Sequence, residues 1–163
     1  MLFRSRIWPD ERAAALAAAL DNTFQATGLT TRFVALDALA DGVVHRQVAD
    51  RMVTPAEVVE PDLEGVVSAL ARVDAVATMR YHGAVLAALG GAAVVALPHS
   101  PKLRSLAADL GPGATVHDDE AEGLAAAVSG VLASRSHLAD AVDRLRTLAS
   151  RNVEVLDGLL GAT

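Results

Sequence analysis

The sequence predicts one α/β domain over residues 1–163, a single Rossmann-like, doubly wound parallel sheet of about six strands. Three observations carry this. Short apolar runs of strand length alternate along the chain with segments of helical period. The run at 92–97, Ala-Ala-Val-Val-Ala-Leu, is apolar on both faces, as strands in the middle of a parallel sheet are. The junctions carry start and stop signals, among them Gly28, Gly90-Gly91, Ser100-Pro101 and Gly111.

Taken in order, residues 2–8 form a short apolar stretch interrupted by Arg4 and Arg6, read as a strand. Pro9-Asp10 then opens an Ala-rich helix with Leu16, Leu20 and Phe24 on one stripe, closed by Gly28. Residues 32–36 read as the next strand, and Asp41 as the cap of a helix burying Val44, Val48 and Met52. A brief strand at 56–59 precedes Pro61-Asp62 and a helix with Leu63, Val66, Val67 and Leu70 on its stripe. A strand at 74–79, a helix at 83–89 and the strand at 92–97 follow. Ser100-Pro101 supplies an N-cap and first-turn proline for a helix burying Leu103, Leu106, Ala107 and Leu110. A last strand at 114–116 leads to Asp118-Asp119-Glu120, which suit the positive end of a helix, and a long helix spans 136–160.

Composition removes several function classes. Hydrophobic residues are 52% and charged residues 21% of 163, enough to bury a sizeable core. Fourteen Lys and Arg against 20 Asp and Glu give a net charge of −6, so no broad basic field faces a nucleic acid or an anionic membrane. The absence of cysteine excludes disulfides, a thiolate nucleophile and a Cys-ligated metal. The start, Met1-Leu2-Phe3-Arg4-Ser5-Arg6, lacks the apolar core of a signal peptide, and the most apolar run, 83–97, is split by Gly90-Gly91. These features predict a soluble cytoplasmic chain with no transmembrane segment. His45, His117 and His137 read as surface residues, and no histidine pair has metal-ligand spacing, so no metal is expected. GxGxxG is missing from the first strand-to-helix turn, and neither GxxxxGK[ST] nor GxSxG occurs.

Open parallel sheets bind ligands at the carboxyl ends of their strands, so the strand-to-helix junctions are where chemistry is expected. Arg80-Tyr81-His82 follows a small apolar strand and precedes an apolar helix. Arg80 can clamp a carboxylate or phosphate, and His82 can carry a proton near neutral pH. The structural alternative is that Arg80 pairs with an acidic neighbour and His82 only caps a helix. At His99-Ser100-Pro101-Lys102, Lys102 occupies a first turn, where a cation opposes the macrodipole unless an anion is near, and His99 is a second proton carrier. Arg6, at the end of the first strand, can face the same anion as Arg80 if the two strands are neighbours across the switch point.

The stretch from Asp74 to Lys102, with its Arg80-x-His82 segment, apolar helix, Gly-rich turn, apolar strand and lysine after a short polar loop, resembles the polysaccharide pyruvyl transferase family. Arg6-Ile7-Trp8 is similar to that family's first strand, and Asp41 and Glu60-Pro61 fall where similar residues are usual. The likeness covers most of residues 2–111 and departs at His99, where a tyrosine is common. It implies the C-terminal half of a glycosyltransferase-B (GT-B) fold, transferring pyruvate from phosphoenolpyruvate to two sugar hydroxyls as a ketal, with no metal or redox cofactor. It further implies His82 as acid or base, with Arg80, Arg6 and the Tyr81 backbone holding the donor. Lys102 would face the departing phosphate, and Ser100 and His99 would line the same loop. The implied partners are phosphoenolpyruvate, a glycan or glycolipid acceptor, and an N-terminal domain or partner chain that this sequence does not contain. Two other readings stand beside it: half of a nucleotide-sugar glycosyltransferase, or a non-catalytic interaction domain. In the latter, Leu138, Val142, Leu145, Leu148, Val155, Leu156, Leu159 and Leu160 on the last helix would cover a missing domain or form a homodimer.

Overall fold

The computed structural model describes residues 7–97 and 100–160, with the backbone alone at 63 and 155–160. Helix α1 (Asp10–Thr27) is preceded by Pro9, carries Asp10 and Glu11 in its first turn, and stops at Gly28, whose φ of 74° ends the helix in the left-handed region. Strand β1 (Thr31–Val34) and helix α2 (Ala38–Ala49) lead to β2 (Ala56–Val59), which pairs parallel to β1. Helix α3 (Leu63–Leu70) is capped by Asp62, which accepts from the Gly65 N–H at 2.8 Å. Then β3 (Ala75–Thr78), α4 (Tyr81–Leu89), β4 (Ala93–Ala96), α5 (Pro101–Leu110) and β5 (Ala114–Val116) build a three-stranded parallel sheet in the order β3-β4-β5. Helices α6 (Leu124–Ala133) and α7 (Leu138–Leu160) close the described chain.

The α/β class and the parallel sense of every described pairing agree with the sequence. The single sheet of about six strands does not: the five described strands form two sheets, β1-β2 and β3-β4-β5. The strand read at 2–8 falls mostly outside the described residues, and 7–9 are coil. Among the described residues no strand joins β1 to β3.

The period-2 alternation of β4 sorts the core into two layers. Val94 and Ala96 face α4, α5 and α7, where Ala84, Ala87, Leu103, Leu110 and Leu138 pack. Ala93 and Val95 face α6 and α1, against Leu124, Val128, Val131 and Ala19. A third cluster, Ala13, Ala17 and Val48 with Phe33, Val44 and Met52, joins α1 and α2 over the β1-β2 sheet. Helix α1 therefore spans both sheets on one face, touching α2 on one side and α6 on the other. Arg135 ties the far end, donating to the Gly91 carbonyl and to Asp74, each at 2.7 Å. Among the described residues no helix is long and apolar enough to cross a membrane.

Several sequence readings are corrected locally. The cap of α2 is Asp37, accepting from the Leu39 and Ala40 N–H groups; Asp41 sits one turn later and reaches back to the Leu36 and Asp37 N–H groups. The Asp118-Asp119-Glu120 run does not begin α6, which starts at Leu124. Asp119 makes a turn by accepting from Ala121 and Glu122, while Asp118 pairs with Arg104. Ser100 is the N-cap of α5 by position, without a side-chain capping bond. Val67, placed on the buried stripe of α3, is half exposed; Val66 and Leu70 are the buried residues there.

The turn between α2 and β2 is anchored to α1 by Asp21, which accepts from the Val53 and Thr54 N–H groups at 3.0 and 2.9 Å and from the Thr54 hydroxyl. Led by the Thr54 hydroxyl, these donors hold the Asp21 carboxyl below its ordinary value of 3.8. The folded state therefore binds this proton less readily than the unfolded one. The stabilisation is complete above the ordinary value and is lost as pH falls through the lower folded one. Thermal melts of wild type and Asp21→Asn should differ clearly at pH 7 and converge toward pH 3; a constant difference would mean the carboxylate charge plays no part.

Candidate functional site

Between the two sheets lies a cleft of about 930 Å³. The β1 and β3 residues line its walls, Leu16, Leu20, Leu124 and Val128 its floor, and Trp8, Asp41, His45, Arg80 and Glu120 gather among its polar lining. The β1 and β3 carboxyl ends deliver Asp41 and Arg80, the end at which open α/β sheets bind ligands.

Arg80 is the N-cap of α4, set there by its strand exit: Thr78 Oγ1 accepts the Arg80 N–H at 3.0 Å. The first turn of α4 can lie this close to β3 only because residue 83 is glycine. A Cβ there would sit 2.9 Å from Thr78 Oγ1 and 3.1 Å from Leu36 Cδ1. The Arg80 guanidinium donates to Asp41, whose other oxygen is already held by two backbone N–H groups from the β1–α2 turn. Asp41 is the less exposed partner, 17% against 45% for the Arg80 side chain. A fixed carboxylate thus aims a partly solvated guanidinium across the cleft, which is the acidic pairing the sequence left open.

His45 lies on α2 beside this pair and is half-buried, not on the surface as its sequence context implied. Its ring packs on Phe33 at 5.2 Å between centroids, and its buried Nδ1 has no hydrogen-bond partner. Burial lowers its pKa below the ordinary 6.5; Asp41 and Glu60 pull upward, Arg80 and Arg46 downward, and burial prevails. Because the unfolded imidazole takes up a proton more readily, stability contributed here is present above the ordinary value and falls as pH drops from about 7 toward 5. His45→Phe keeps the packing on Phe33 and removes the titration. The variant should lose less melting temperature than wild type between pH 7.5 and 5.5, and equal losses would refute the assignment. His117 also keeps a buried ring nitrogen, Nε2, without a partner, and of the three histidines read as surface residues His137 alone is exposed. A polar spacing pattern cannot reveal such burial, which comes from Phe33 and other residues distant in sequence.

The other described candidate residues lie outside the cleft lining. Tyr81 and His82 both lie exposed in the first turn of α4, their rings edge to face at 5.8 Å, outside the cleft lining. Lys102 is exposed in the first turn of α5, next to Ser100 and Pro101. Arg6 and His99 lie outside the described residues. The sequence singles out the Arg6-Ile7-Trp8 junction but not the partners of Trp8, which are Gln47, Arg12 and, through Arg12, Glu120. Gln47 grips the Trp8 backbone through both its amide groups, at 3.1 and 2.8 Å, and Arg12 stacks 3.7 Å above the Trp8 ring while pairing with Glu120. Among the described residues no cluster of histidine and acidic side chains could hold a metal ion.

The helix starts divide into two kinds. Helices α1, α2, α3 and α7 carry acidic residues in their first turns, whereas α4, α5 and α6 carry none, and Arg80, His82 and Lys102 stand at the starts of α4 and α5. No family model, no curated protein and no solved structure matches the chain.

Proposed function

We propose that this chain is the donor-binding half of a pyruvyl transferase, a doubly wound domain of GT-B type that holds phosphoenolpyruvate beside the N-termini of α4 and α5. The reading rests on the sequence resemblance over 2–111 and is supported by one structural observation: these two helix starts lack acids and gather cations, with Arg80 fixed by Asp41. A carboxylate and a phosphate on one small molecule match a guanidinium, an ammonium and two sets of helix N–H groups.

In this reading a proton from His82 is delivered to the methylene carbon of phosphoenolpyruvate. Positive charge then develops at the neighbouring carbon and one sugar hydroxyl adds to it. A second hydroxyl then displaces phosphate, closing the ketal; the two hydroxyl protons balance the one placed on carbon and the one leaving with phosphate. Arg80, with Arg6 and the Tyr81 backbone, would hold the donor's anionic groups, and Lys102, in the loop with Ser100 and His99, would meet the departing phosphate. The glycan or glycolipid acceptor would enter from an N-terminal domain or partner chain, so turnover is not expected from this chain alone. Calorimetric or NMR titration with phosphoenolpyruvate tests the donor half of the proposal. Saturable binding in the millimolar range or tighter, and none for a uridine or guanosine sugar nucleotide, is the expected result. The reverse preference would favour a glycosyltransferase half.

A second reading, an interaction domain without catalysis, has its own observation. Leu148 and Val153 on α7 are 49% and 57% exposed, beyond the part of the helix where Leu138 and Val142 pack on the core. A folded chain that binds no anion but self-associates would support it.

A further inference from the structure

We infer that His45 is a proton-operated latch on the Arg80 guanidinium. With the ring neutral, Asp41 holds Arg80; a proton on the ring draws the Asp41 carboxylate to His45 and releases Arg80 into solvent. The inference concerns the ligand-free chain and does not depend on pyruvyl transfer.

Helix geometry places the two competitors for Asp41 close together. Asp41 and His45 stand four residues apart on α2, so they share one face a turn apart. Side chains on a helix lean back over the preceding turn, which carries the His45 ring toward Asp41. An acid on the N-terminal side of a cation is the favourable order at this spacing. Of the charges around the ring, that of Asp41 acts on it most strongly.

Which group gives way follows from how each is held. One Asp41 oxygen accepts the Leu36 and Asp37 N–H groups at 3.2 and 3.0 Å, and the other accepts Arg80. His45 is half-buried with its ring on Phe33. The Arg80 side chain is 45% exposed on a long flexible stem, so it is the member of the three with room to leave. The two cations also oppose each other. Arg80 makes the ring harder to protonate, and coupling between two sites is reciprocal, so a protonated ring disfavours the present Arg80 position to the same extent.

The other charges near the ring do not reverse this. Among the described residues, Arg46 of α2 pairs with Glu60 at the β2 exit, and Glu60 rests on Gly42, where a Cβ would collide with its Oε1. Glu60 and Arg46 act on the ring less strongly than Asp41 and Arg80 do. On α1, which packs on α2, Asp10 is engaged by Arg51, Arg12 by Glu120, and Asp21 by Val53 and Thr54. Burial opposes the charged ring, so release falls on the acid side of the ordinary imidazole value of 6.5.

An NMR titration of the ligand-free chain from about pH 7.5 to 5 tests this by following the His45 ring together with rotation about the Arg80 Nε–Cζ bond, which a held guanidinium slows. Rotation should speed up about tenfold, the loss of one charge-assisted hydrogen bond, with the midpoint of the His45 titration. His45→Phe should keep it slow throughout, and His45→Gln serves the same purpose should the Phe variant not fold. Arg80→Met should raise the His45 midpoint and Asp41→Asn should lower it, because the first removes a cation and the second an anion. An Arg80 rotation rate that stays constant while His45 titrates in the folded chain would overturn the latch. So would a ring still neutral at about pH 5, release that persists in the His45 variants, or release of Arg46 from Glu60 in place of Arg80. No phosphoenolpyruvate is present, so failure here leaves the donor-site reading standing, and failure of that reading leaves the latch standing.

Discussion

Arg80→Ala should weaken phosphoenolpyruvate binding by about tenfold to a hundredfold, the loss of a hydrogen-bonded charge pair of about 1.5–3 kcal/mol. The size follows from how the guanidinium is held. Asp41 is fixed by the Leu36 and Asp37 N–H groups and fixes Arg80 in turn, so little side-chain freedom is lost when a ligand arrives. Arg80→Lys replaces a planar fork by a point charge and should recover only part of the affinity. Asp41→Asn keeps shape but removes the charge that aims Arg80, and should weaken binding less than Arg80→Ala. His82→Ala should leave the dissociation constant within about threefold, because a proton donor to carbon contributes to the transition state more than to ground-state binding. Equal affinity in wild type and Arg80→Ala would place any binding elsewhere on the chain and refute the donor site.

How far the sequence discloses this molecule depends on whether the determining contacts are local. Gly28, Pro9 and Gly111 mark helix ends through their own backbone preferences and Asp62 through its capping side chain, and those ends stand within a few residues of where the sequence puts them. The buried face of α5, Leu103, Leu106, Ala107 and Leu110, was legible because helical period alone decides it. Asp37 and Asp41 show the limit: both suit an N-cap, and the choice between them depends on where β1 ends. Arg80 was legible as a residue at a strand exit, but its partner Asp41 is 39 residues away, in the first turn of α2. The burial of His45 is set by Phe33 and the cleft, and the division into two sheets by pairings between distant strands. Nothing in local spacing encodes either.

Leu103→Ala should be the most damaging single truncation among those considered, at about 2–5 kcal/mol. At about 2–4 °C per kcal/mol for a chain of this size, the melting temperature should fall by roughly 10 °C. The reason lies in the make-up of the core. Most of its buried positions are alanine or valine, and the largest fully buried side chains are Leu103, Leu110, Leu124 and Leu138 with Val48, Val94 and Val95. Small residues let helices and sheet approach closely but leave few side chains to fill the space between layers, so each leucine carries a large share of the packing. Leu103 is 1% exposed and joins the cluster in which α4, α5 and α7 meet β4. The cluster that holds it includes Ala84, Ala87 and Val94, whose short side chains can do little to fill a void. Leu103→Met, nearly equal in volume, should cost less than about 1.5 kcal/mol. Denaturant melts of the three proteins with equal slopes would confirm that packing alone has changed. A Leu103→Ala midpoint within error of wild type would mean that α5 is not part of the cooperative core, and the layer built on β4 would have to be redrawn.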